Sequence, residues 1–345
     1  LPEMEDLAAG WAAYRDGSVL VDSTADILAS RRKNVFVYLH FMETHQPWMA
    51  PAPKESTGCF SALGHSRDRE KMYTEDKRIV MKTSDDPASL TQGERRRLLE
   101  LYDEATHYVD GLVGRLMDIV EKRGGLGNTL FIFTSDHGEE FFERGRVGHG
   151  HSLYGEVTSV PLVIAGPSVT PAKVVSQVSN VAIYETVRAL VSPRDNTCAP
   201  LMHPLVSPES AARREDDEIF AELHLTNREE GGTLTKLVTS EKRETIVTQG
   251  SQGQVDTTEV YDLTADPGEL APIDSGDSQA LAEKALKVQR TWRGVAAQDG
   301  VEPTFSSIKW QHQFVSASAS GALTDKPTKM TTFMAEQLRA LGYLN

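Results

Sequence analysis

Cysteine is almost absent from this chain: Cys59 and Cys198 are the two found in 345 residues. They allow one disulfide at most, which excludes a disulfide-stapled scaffold and leaves the redox compartment open. Basic residues are short as well, with 36 Lys and Arg against 50 Asp and Glu and a formal charge of −14. A general nucleic-acid binder needs a basic footprint, so no nucleic-acid partner is expected. No run approaches the roughly 18 apolar residues that span a bilayer. The densest, Val35 to Met42, is eight residues long and contains His40, and no transmembrane segment is expected. There is no Gly-x-Ser-x-Gly elbow, no Walker loop and no Gly-x-Gly-x-x-Gly after a strand, which removes support for serine hydrolase, P-loop and dinucleotide-binding readings.

What is present is ordinary for a globular protein: 39% hydrophobic and 25% charged residues, neither collagen-like, coiled-coil nor wholly disordered. At about 150 residues per domain the length predicts roughly two domains. The sequence opens at Leu1 without Met or a leader-like apolar stretch, so a removed targeting segment or a longer parent chain is expected.

Residues Asn34 to Phe41 are β-branched and aromatic on both alternating faces, the pattern of a strand buried on both sides of an α/β sheet. They run into Met42-Glu-Thr-His-Gln-Pro-Trp48, where Pro47 ends regular structure. Residues 50–90, charged and rich in Pro, Gly and Ser, read as a long excursion. Thr91 with Glu94 fits a capping box. From Leu98 to Val120 apolar residues recur every three or four positions, one stripe over about seven turns, closed by Gly124-Gly125. Thr129–Thr134 and Val160–Ala165 read as further strands and Val181–Val191 as a helix. A weaker helical pattern runs from Asp22 to Arg32. This βαβ rhythm predicts a mostly parallel sheet flanked by helices. After about residue 215 short strands around 218–222, 234–239, 245–248 and 259–262 predict a small antiparallel sheet. An amphipathic helix follows at 278–292, then a linker from 303 to 328 and a short helix at 332–344. The expected division is 1–215, 216–302 and 303–345.

Three segments place histidines and carboxylates at predicted strand ends, where open α/β sheets bind ligands. Asp136 and His137 directly follow Thr129–Thr134. A carboxylate beside an imidazole suits a divalent cation, oxygen donors favouring Ca²⁺ or Mg²⁺ and the imidazole favouring Mn²⁺ or Zn²⁺. Asp136 as a helix N-cap is the competing structural reading. Gly148-His-Gly-His-Ser152 begins eleven residues beyond His137. His149 and His151 are two apart and share a face if the chain is extended; a surface glycine loop is the alternative. His45 precedes Pro47, and a lone histidine there is either structural or functional. Together the segments suggest a metal site or an anion-binding site.

These residues carry a resemblance. Thr134-Ser-Asp-His-Gly-Glu139, Gly148-His-Gly-His-Ser-Leu-Tyr154 and Val160-Pro-Leu-Val-Ile164 resemble the sulfatase family of the alkaline phosphatase superfamily. Tyr38–Pro47, Tyr102–Asp110, Val260–Glu269 and Leu338–Leu344 are similar to that family's segments in the same order. The resemblance implies an alkaline-phosphatase-like α/β catalytic domain over 1–215, a small C-terminal α+β subdomain, and hydrolysis of sulfuric esters. It implies Asp136 and His137 as metal ligands for Ca²⁺, with Mg²⁺, Mn²⁺ and Zn²⁺ as alternatives. His45 falls on the residue that protonates the leaving oxygen, and His149 or His151 on the position facing the transferred group. The implied substrate is a sulfated small molecule or glycan, and the implied location is extracytoplasmic.

The family's Cys-x-Pro-x-Arg or Ser-x-Pro-x-Arg signature, source of its formylglycine nucleophile, does not occur in this sequence. Its first pair of aspartate ligands has no counterpart here either. The expectation is therefore a sulfatase portion that supplies a general acid and half of a metal cage and is inactive alone. A phosphorus-directed member of the superfamily or a non-catalytic remnant are the alternatives.

Overall fold

The structure is a computed structural model that describes residues 16–30, 35–48, 69–167, 169–174, 177–191, 218–225, 232–239 and 242–298. Cys59, Cys198, the predicted linker at 303–328 and the predicted helix at 332–344 lie outside the described residues. The chain forms two compact units. Among the described residues, one takes in those up to 123 together with 141–146, and the other takes in 124–140 and those from 147 onward.

The first unit is helical where described: α1 (Gly17–Ser30), α2 (Arg69–Asp85) and α3 (Gln92–Lys122). α3 begins as its sequence dictates, because the Thr91 hydroxyl accepts from Glu94 N while the Glu94 carboxylate accepts from Thr91 N. It ends at Gly124 and Gly125, whose φ values of 108° and 66° suit glycine. Its stripe is buried at Leu98, Leu101, Ala105, Val109, Leu112, Leu116 and Val120. Val21 of α1 packs on Leu112 and Leu116, with Leu39 and Phe41 beside them.

Two expectations change here. Residues 35–42 are extended but form no strand: Leu39 and Phe41 turn inward, while Phe36 and Tyr38 are exposed. An extended chain becomes a strand through its ladder, and no described strand pairs with this one. Within the supposed excursion at 50–90 lies α2, a polar helix held to α3 by ion pairs. Arg97 bridges Asp76 and Glu104, and Glu94 receives Arg78 and Lys82.

The second unit contains β1 (Phe131–Thr134), α4 (Gly155–Thr158), β4 (Leu162–Ala165), α5 (Ala182–Val191) and a C-terminal layer. The two-residue strands β2 (Glu140–Phe141) and β3 (Val147–Gly148) lie in the connection after β1. β1 and β4 pair antiparallel, Phe131 opposite Ala165 and Thr134 opposite Leu162. The α/β class therefore stands, but the described pairing is antiparallel where a mostly parallel sheet is predicted. Parallel neighbours need a crossover returning the chain to the same end, whereas the chain from Thr134 arrives at Leu162 from that end.

The C-terminal layer is a four-stranded antiparallel meander, β5 (Ile219–His224), β6 (Thr233–Val238), β7 (Arg243–Gln249) and β8 (Val255–Asp262). On one face Leu237 and Val247 pack against Ala282 and Ala285 of α6 (Ser278–Gln298). Gln289 donates to the Thr235 hydroxyl on that face. On the other face Leu234 packs against Leu153, so the meander underlies the segment that follows Gly148–Ser152. No helix of the described residues is long and apolar enough to cross a membrane.

Candidate active site

β1 delivers its chain to a loop, residues 135–139, with no helix starting after Asp136. The helix-cap reading of Asp136 is thereby removed. The loop is fixed from several sides. Asn180 Nδ2 donates to Ser135 O at 2.9 Å, the Ser135 hydroxyl donates to His137 O at 2.6 Å, and Gly138 N donates to Val157 O at 2.8 Å. Gly138 has to be glycine, because a Cβ there would lie 2.1 Å from the Glu156 carbonyl oxygen. This close approach ties the Asp136-His137 loop to α4.

Asp136, His137 and His149 line one cleft of about 920 Å³ in the second unit, together with Ser152, Asn180 and Lys236. The His137 and His149 rings stack with centroids 3.8 Å apart. His137 Nδ1 lies 2.8 Å from Gly138 O. A carbonyl only accepts, so Nδ1 carries the hydrogen and Nε2 is the basic nitrogen. His149 Nδ1 lies 2.8 Å from Glu139 Oε1, which fixes the same tautomer, again with Nε2 as the basic nitrogen.

His151 is arranged the opposite way. Its Nε2 lies 3.0 Å from Glu140 Oε2, which also accepts from the Ser152 hydroxyl at 3.1 Å. His151 is not among the cleft-lining residues. The expectation that His149 and His151 share a face assumed an extended chain. Gly150 between them has φ 80° and Gly148 before them φ 96°, so the chain turns and the rings reach the consecutive carboxylates Glu139 and Glu140. Residue spacing does not single out those two residues, although both stand in the Ser135–Glu140 segment. The signal was two acids in a row, of which Glu140 is 1% exposed and so requires a partner.

His45 belongs to the first unit. Its Nδ1 lies 2.6 Å from Gln46 O, so Nε2 is again the basic nitrogen. Its loop is anchored by Gln46 Nε2 donating to the Thr83 hydroxyl at 2.6 Å. Buried Trp48 packs on Tyr102 and Phe141.

Asp136 and His137 offer one carboxylate and one imidazole, donors right in kind for a divalent cation. They do not fit in number: among the described residues no three His, Cys, Asp or Glu are grouped to hold a metal ion.

With this geometry in place, the family follows. The Sulfatase profile matches residues 7–192, more than half of the chain, and the chain belongs to the sulfatase family. It is similar to arylsulfatase K of Xenopus laevis, 32% identical over 126 residues, which are 36% of this chain and 23% of that protein. It is also similar to a choline-sulfatase of Rhizobium meliloti (strain 1021), 31% identical over 113 residues, 33% of this chain and 22% of that protein. These matches span about a quarter or less of the relatives' own length. Among solved structures, that of BT4656 in complex with its substrate D-glucosamine-2-N,6-O-disulfate superposes with a TM-score of 0.55. That superposition covers 84% of this chain and 71% of BT4656 at 19% identity. The fold is accordingly alkaline-phosphatase-like.

Proposed function

We propose that this chain carries the sulfate-gripping part of a sulfuric ester hydrolase, with His149 as the residue that faces the transferred group. The observation that carries the reading is the buried Glu139 carboxylate bonded to His149 Nδ1 at 2.8 Å, which orients a cleft-lining imidazole beside Asp136 and His137. A ring held in one tautomer and one orientation is a preorganised partner for an anionic oxygen. His151, bound to Glu140, has a supporting role in the same loop. His45 is the proton donor to the leaving oxygen, acting through Nε2.

Asp136 and His137 would supply two of the donors to a divalent cation, Ca²⁺ in the first instance, which would neutralise charge on sulfate oxygens. Two donors do not make a cage. The nucleophile signature is absent from these 345 residues, so the chain alone binds sulfate esters without hydrolysing them. A sulfated glycan or small molecule as substrate is supported by the disulfated glucosamine bound to BT4656 and by the similarity to a choline-sulfatase.

Titrating the chain with 4-nitrophenyl sulfate and with 4-nitrophenyl phosphate, while following histidine side-chain NMR signals, tests the reading. The sulfate ester is expected to shift His137 and His149, to shift His151 little, and to release no nitrophenol. Shifts produced by the phosphate ester alone would transfer the assignment to a phosphorus-directed enzyme.

A further inference from the structure

The face of the meander turned away from α6 holds charges that the sulfate-binding reading does not use. Lys236 of β6, Glu244 of β7 and Glu269 of the loop after β8 are 5%, 0% and 4% exposed. Lys236 Nζ lies 2.6 Å from Glu244 Oε2 and 3.1 Å from Glu269 Oε1, and it donates to the Thr158 hydroxyl at 3.2 Å. Glu269 Oε2 accepts from Gly155 N at 2.7 Å. The cluster therefore holds both ends of α4, the Gly155–Thr158 turn. That turn holds the candidate site in its own right, since Val157 O receives Gly138 N.

We propose that Glu244 is a proton-dependent positioning residue, whose neutral carboxyl lets Lys236 and Glu269 grip the 155–158 turn and the Gly138 backbone beyond it, and whose ionisation loosens that grip.

Charge arithmetic inside the cluster supports this. With Glu244 neutral, one ammonium faces one carboxylate. With Glu244 ionised, one ammonium is divided between two buried carboxylates and a net negative charge is left without solvent, an arrangement that is costly to keep. Burial is the main influence on Glu244 and raises its carboxyl to about 8; the Lys236 ammonium opposes the rise and Glu269 adds to it. The other groups on this face are Tyr261, directly across from Glu244 on β8, and Glu259 farther along β8. Tyr154 of the facing segment donates to Glu259 at 2.9 Å. β5 contributes Ile219 and Ala221 to this face, opposite Val238 and Lys236, and neither is charged. Among the described residues, Lys236 is therefore the cation of this face.

The sign follows from linkage. The folded Glu244 keeps its proton up to about 8, whereas an exposed glutamate releases it near ~4.3. Between those values the closed state holds a proton that the open state does not, so closure weakens as pH rises, by at most about tenfold per pH unit.

The role bears on the sulfate-binding reading only because the loop being held carries Asp136 and His137; its test uses neither ester nor metal. Amide hydrogen exchange of the full chain, read by NMR at Gly138 and Gly155 from pH 5.5 to 9 and corrected for intrinsic exchange, decides it. Protection at both amides is expected to fall by tenfold or more across that range in the wild type. In Glu244→Gln it is expected to stay near the wild-type acid level throughout. Parallel profiles in the two proteins, or a constant offset at every pH, overturn the proposal. Should Glu244→Gln fail to fold, the wild type decides alone: protection unchanged from pH 5.5 to 9 overturns it. A failed ester titration alongside the expected exchange profile would reject the sulfate-binding assignment and leave the proton-dependent hold standing.

Discussion

Glu139 and His149 form a carboxylate–imidazole pair, Oε1 to Nδ1 at 2.8 Å, with the Glu139 side chain 4% exposed and the His149 side chain 22%. The buried partner is the carboxylate, so the acid is the fixed element and the ring is aligned to it. Glu139→Ala removes that acceptor and is expected to shift His149 from a single Nε2-basic tautomer to a mixture. Two-bond ¹H–¹⁵N correlations of the imidazole report this directly. An unchanged tautomer pattern would show that stacking on His137, and not Glu139, orients the ring. The lost charge-assisted hydrogen bond should cost about 1.5–3 kcal/mol of stability.

The contact between Gly138 and Glu156 has its own consequence. A methyl group at position 138 meets a backbone oxygen at 2.1 Å, which cannot rotate away as a side chain could. Gly138→Ala should therefore displace the loop from α4 and cost about 1–3 kcal/mol, read as a lower urea midpoint. Loss of exchange protection at the residue 138 amide should accompany it. Stability within error of the wild type would mean that the two backbones separate without cost.

Calcium binding should be weak. Ca²⁺ normally takes 6–8 oxygen ligands, and the described residues offer Asp136 with His137 and no larger group. Calorimetry on the chain is expected to give a dissociation constant no tighter than about 1 mM, weakened further by Asp136→Ala. Micromolar binding, or binding untouched by Asp136→Ala, would place the ion elsewhere.

How far the sequence reveals the molecule depends on what stabilises each part. α3 is legible to its first residue, because its stripe and its Thr91–Glu94 box are local patterns. The meander is legible for the same reason, as short β-branched runs between turn residues. α2 is not: its order comes from Asp76 meeting Arg97 and from Arg78 and Lys82 meeting Glu94, pairings across 12 to 21 residues that leave no apolar period to read. In the candidate site, the motifs single out Asp136, His137, His149 and His151. Their division of labour is set by the φ of Gly150 and by which of two adjacent glutamates each ring meets. Neither is visible in residue spacing, and the cluster of Lys236, Glu244 and Glu269 comes from three elements that only the fold brings together.

The attachment of α2 to α3 should behave as a coupled pair and not as two independent surface charges. Arg97 meets Asp76 in a two-pronged contact, Nε to Oδ1 at 2.8 Å and Nη2 to Oδ2 at 2.9 Å, with side chains only 14% and 10% exposed. Two parallel charge-assisted bonds fix both distance and plane, and burial limits screening by water and salt. Removing one partner strands the other: Arg97→Met leaves Asp76 buried without its cation and should cost about 3–5 kcal/mol. Asp76→Asn keeps the shape but loses the charge and should cost less, because Glu104 still receives Arg97 at 2.9 Å. The double variant has no stranded carboxylate at position 76, so its loss should fall short of the sum of the single losses by about 1–3 kcal/mol. Urea denaturation of all four proteins measures this difference. Losses that add to within ~0.5 kcal/mol would show that the two side chains do not couple, and that apolar packing around Ile79, Val80 and Leu90 holds α2 in place instead.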